Sequence, residues 1–113
     1  MALDLKVLVQ SMKDAASGIL KADVTTLSGF SERQLLAIAQ QADLVAGGIA
    51  TGQITDDTRQ FFLDGLQDMV KSFVMTLHGI LMVTIEKVLN AVVGILWDAL
   101  SKATGLALAV PAL

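Results

Sequence analysis

The 113 residues are 54% hydrophobic and 17% charged, with a formal charge of -3, enough for one modest core and more apolar than an average soluble domain. The absence of cysteine excludes a disulfide framework, a thiolate metal site and a thiol nucleophile. Arg33 and Arg59 beside scattered lysines make no basic patch, so nucleic-acid binding is not expected.

Mean hydropathy is +0.67, and such an apolar surplus has to be covered by a second copy, another protein, an apolar ligand or lipid. The amino-terminal stretch carries Asp4 and lacks a charged region leading into an unbroken apolar block, so a secretory signal is not expected. The expected location is cytoplasmic, with membrane association left open.

Leu5, Leu8, Val9, Met12, Ala16, Ile19 and Leu20 recur at spacings of three and four, which predicts an amphipathic helix over about residues 4–21. Asp4 is placed to cap it, and Gly18 weakens its last turn by about 1 kcal/mol relative to alanine. Residues 21–29 lose the pattern and read as a connection. A second helix is expected over 31–51. Ser31 and Gln34 stand in capping-box register, with Phe30 and Leu35 at the two positions of a hydrophobic staple. Its inner face would be Leu35, Ile38, Ala39, Ala42, Val45 and Ile49, and Gly52 suits a left-handed stop.

Thr55 is a good N-cap, followed by Asp56 and Asp57 at the positive end of the helix dipole. From there to Pro111 the chain has no proline and no turn cluster, only isolated Gly65, Gly79 and Gly94. The third helix is therefore expected to run unbroken over 55–104, about 49 residues and roughly 73 Å long. Positions eleven apart repeat in character, for example Leu63, Val74, Ile85 and Leu96, which implies nearly straight packing. The apolar arc exceeds half the circumference, more than one neighbouring helix can cover. Residues 105–113 form a short apolar tail in which Pro111 ends helical continuation.

Few side chains invite chemistry. His78 is the single histidine, has no carboxylate three or four residues away, and reads as structural rather than as a base. Asp57, Asp64 and Asp68 could face a hard cation, but a solvated acidic face is the simpler account. Met12, Met69, Met75 and Met82 with Phe61, Phe62, Phe73 and Trp97 could line an apolar-ligand pocket, although at helical spacing such residues usually form core. The charge-free runs Ser72 to Ile85 and Val88 to Trp97 are each shorter than the roughly 20 residues a spanning helix needs. Glu86 and Lys87 separate them, so a transmembrane helix is disfavoured.

The sequence thus predicts one all-α domain over 1–113: two short helices followed by one long, about 50-residue helix, assembled into an oligomeric helical bundle. The expected homo-oligomer, most simply a two-fold dimer, would meet along Val74, Leu77, Leu81, Ile85, Val88, Val92, Leu96 and Leu100. The expected function is that of a non-enzymatic interaction or assembly protein, without cofactor, catalytic residue or metal. The alternative is a membrane-active or lipid- or apolar-ligand-binding helical protein. For the fold, the weaker reading is a break near Gly79 that closes the chain into a four-helix bundle.

Overall fold

Asp4 ends the extended lead-in and accepts a hydrogen bond from the Val7 amide at 3.2 Å, satisfying one of the orphan donors at a helix start. The helix it caps, α1 (Leu5–Leu20), buries Leu8, Val9, Met12 and Ala16. It stops where Lys21 turns left-handed at φ 55. After a single 3-10 turn at Val24–Thr26, the Ser31 hydroxyl accepts from the Gln34 amide at 3.1 Å and starts α2 (Glu32–Ala50). These coordinates are a computed structural model that describes residues 3–111. The outermost positions of the amino-terminal stretch and of the apolar tail, 1–2 and 112–113, lie outside the described residues.

Gly52 adopts φ +77 just beyond α2, and the Ile54 amide reaches back to the Gly48 carbonyl at 2.9 Å. Ile54 lies flat on Gly48, where a Cβ would come within 2.7 Å of its Cδ1. Thr55 then donates its amide to the Thr58 hydroxyl at 3.0 Å, and α3 (Asp56–Met75) sets out antiparallel to α2.

The expected 50-residue helix does not form: α3 ends at Met75, and α4 (Met82–Thr104) begins after six intervening residues. The hydroxyl of Thr76 takes the Phe73 carbonyl at 2.6 Å, and the amides of Thr76 and Leu77 close back on Phe73 and Val74. That tightening withdraws carbonyls from the helical ladder. His78 then gives its amide to Ser28 in the α1–α2 connection at 3.0 Å, and Gly79 supplies φ +80. Leu81 restarts the helix without a side-chain cap.

Energetics favour the break. Interrupting the ladder forgoes on the order of four backbone hydrogen bonds, worth about 0.5–1.5 kcal/mol each net. Folding back buries Val74, Leu77, Val88, Val92, Leu96 and Leu100, at about 1.5–3 kcal/mol each. Packing therefore outweighs helical continuity.

The four helices alternate in direction, with α1 packed most intimately on α4 and with α2 diagonal to α4, an up-down-up-down bundle. One contiguous core threads all four and holds Met12, Leu35, Ile38, Leu66, Phe73 and Leu96. The radius of gyration is 13.7 Å and the extents are 42 × 26 × 18 Å, close to the roughly 13 Å of a compact domain this size and unlike the elongated shape that the long helix implied.

Candidate interaction surface

Both interhelical connections at one end of the bundle are sewn together. Gly29, at φ +87, lies so close to Thr76 that a Cβ there would collide with its carbonyl oxygen. The His78 ring Nδ1 is 3.3 Å from the Ser28 hydroxyl. His78 thus bridges two connections and serves as a structural tie. Asp23, at the head of the 3-10 turn, accepts from the Thr25 hydroxyl and amide at 2.7 and 3.0 Å. These bonds hold its carboxyl below the usual carboxylate range, with Lys13 adding a smaller pull in the same direction.

From this braced base the α3–α4 connection projects an apolar tip. Leu81 is 76% exposed, Met82 61%, Val83 57% and Met75, the last residue of α3, 51%. Ile80 between them is half-buried against the core. A polar N-cap would be ordinary at the start of α4; Leu81 and Met82 stand there instead.

Of the eight residues expected along a long-helix interface, Val74, Leu77, Val88, Val92, Leu96 and Leu100 lie inside the chain's own core. Ile85 is partly buried beside them. Only Leu81 stands open. The aromatic and methionine set is divided as well: Met12, Phe73 and Trp97 are buried, Phe62 and Met69 are partly covered, and Phe61, Met75 and Met82 face outward. These side chains do not surround one cavity.

Asp57, Asp64 and Asp68 stay on the exposed face of α3, where Asp64 accepts from Gln60 at 2.7 Å. Among the described residues no three acidic or imidazole groups converge as a metal site would require. Within the same residues no helix is long and apolar enough to cross a membrane. The tail turns at Gly105, φ 72, and the Leu108 amide donates to the Ser101 hydroxyl at 3.2 Å. Residues Ala107–Pro111 border a shallow depression shared with Leu63 and Trp97.

Val83 was the tip residue that helical periodicity did not single out. The signal that marks the whole tip is the charge-free run Ser72 to Ile85, too short for a membrane span yet long enough to leave an apolar turn at the surface. Comparison with protein-family models, with curated proteins and with solved structures finds no match.

Proposed function

We propose that this chain is a non-enzymatic interaction protein that presents the apolar tip of a closed helical bundle to a partner surface. The observation that carries this reading is the exposure of Leu81, Met82, Val83 and Met75 above a core already filled by other residues. Leaving such side chains in water costs stability that folding alone does not recover. Their clustering at one braced end gives them a common direction. Self-association along α3 and α4 has lost its motive, because the chain itself covers that stripe.

Sedimentation of the purified chain, alone and with lipid vesicles, tests the reading. Association in either condition that disappears in a Leu81→Ser/Met82→Ser variant supports it. A monomer that ignores vesicles refutes it.

A further inference from the structure

We infer that Met75 and Met82 form an oxidation site, at which a peroxide turns the apolar tip polar while the bundle remains folded. That this regulates the tip rests on the interaction reading above. The chain has no cysteine, so methionine is its only sulfur. Of its five methionines, Met1 lies outside the described residues, and the others fall into two groups. Met12 is fully buried in the core, and Met69 is partly buried against it. Met75 and Met82 are exposed, the first ending α3 and the second opening α4.

Access decides the chemistry. The thioether sulfur attacks an oxygen of hydrogen peroxide; the O–O bond breaks, an S–O bond forms and, after proton transfer, water leaves. Sulfur loses two electrons and the peroxide gains them. The product is a sulfoxide, polar where the thioether was apolar. A sulfur already in water meets the oxidant in the native state. A sulfur enclosed by packed neighbours meets it only when the bundle opens, and its rate falls with the fraction of time spent open.

The consequence differs as well. A sulfoxide oxygen at Met12 would lie among apolar side chains, and among the described residues the core buries no polar side chain that could donate to it. An unsatisfied polar group there destabilises the fold. At Met75 and Met82 the oxygen faces water, and neither residue belongs to the side chains packed on the core. The connection between them is held from outside, by the Ser28 carbonyl that receives the His78 amide and by the approach of Gly29 to Thr76, so its shape does not depend on either thioether. These two residues supply half of the four exposed apolar side chains at the tip. Leu81 and Val83 are hydrocarbon and inert to peroxide. The change is reversible, because sulfoxide reductases return the thioether with two electrons from a dithiol, one enzyme for each epimer.

The test is hydrogen peroxide treatment of the full chain, read by peptide mass mapping and by retention on a phenyl resin, which reports an exposed apolar surface whatever its partner. We expect Met75 and Met82 to oxidise at least about tenfold faster than Met12, with unchanged far-UV circular dichroism and Trp97 emission. Retention should fall in the oxidised chain and return after treatment with both reductases and dithiothreitol. Met75→Leu/Met82→Leu should keep its retention under peroxide. Tip-dependent association, in sedimentation of the chain alone or with phosphatidylcholine vesicles, should weaken about tenfold on oxidation.

Oxidation of Met12 as fast as Met75 and Met82 overturns the inference. So does unfolding on oxidation, unchanged retention, or a leucine variant that loses retention under peroxide as the wild type does. Tip-dependent association that survives oxidation of both residues also overturns it and leaves the interaction reading standing. Lost retention in a chain that shows no tip-dependent association supports the oxidation site and sinks the interaction reading alone.

Discussion

The two ends of α3 turn the chain by opposite means. At its start, Gly52 supplies a left-handed residue, Thr55 and Thr58 satisfy each other, and Asp56 receives Arg59 at 2.9 Å; the turn is polar, local and open to water. At its end, the six residues from Thr76 to Leu81 include Leu77, Ile80 and Leu81, and their conformation is fixed by Ser28 and Gly29 from a connection some fifty residues earlier. A turn specified by local side-chain chemistry can be polar. A turn specified by tertiary contacts is free to be apolar, and here it exposes groups that a local turn would have excluded.

Three measurements break or sharpen this contrast. The largest effect is expected at Phe73, which is fully buried and meets Phe30 edge-on at 6.0 Å, joining α3 to the α1–α2 connection. Phe73→Ala should cost about 3–5 kcal/mol, read from urea unfolding followed by Trp97 fluorescence. A loss under 1 kcal/mol would mean that the connections at the tip are held less tightly than the geometry shows.

Two glycines of like conformation give the next comparison. Gly29→Ala meets both a positive φ and the Thr76 carbonyl, whereas Gly52→Ala meets a positive φ and open space. Thermal unfolding should show a loss of about 3 kcal/mol for the first and 1–2 kcal/mol for the second. Equal losses would sink the claim that the tip is fixed from a distance.

The smallest effect concerns pH. Because hydrogen bonds from Thr25 lower the folded-state pKa of Asp23, its contribution is present above the unfolded value of about 3.9. It is lost as pH falls through the lower folded value. Asp23→Asn should flatten the acid limb of the stability profile slightly without changing stability differences near neutrality with pH. A steeper acid limb in the variant would contradict this account.

Much of the bundle was legible because its signals are local. Asp4 and Ser31 cap the helices they were expected to cap, and the inner face of α2 contains Leu35, Ile38, Ala39, Ala42 and Val45 as the spacing required. The break was legible only as the weaker reading near Gly79, because Gly79 resembles Gly65 and Gly94, which lie within helices. What distinguishes Gly79 is the Ser28 carbonyl that receives His78 and the close approach of Gly29, neither of which leaves a mark in the residues around it. The eleven-residue repeat misled for a related reason: α3 and α4 face one core, so their apolar stripes match whether or not the helix between them is continuous. The tip shared this concealment, since an apolar residue in an unbroken helix and an apolar residue at an exposed turn are written with the same letters.

The pairing of α1 with α4 bears on how such a bundle assembles. The most intimate helix contact joins the two helices that lie farthest apart in sequence, so the α2–α3 hairpin, closed by Ile54 on Gly48, can form while both outer helices still lack a complete groove. Closing the long loop between those outer helices adds an entropic cost that grows only logarithmically with its length, yet their mutual surface is the last to be buried. The ring is completed from its seam, and a change at the seam should register in the rate of assembly as well as in its equilibrium.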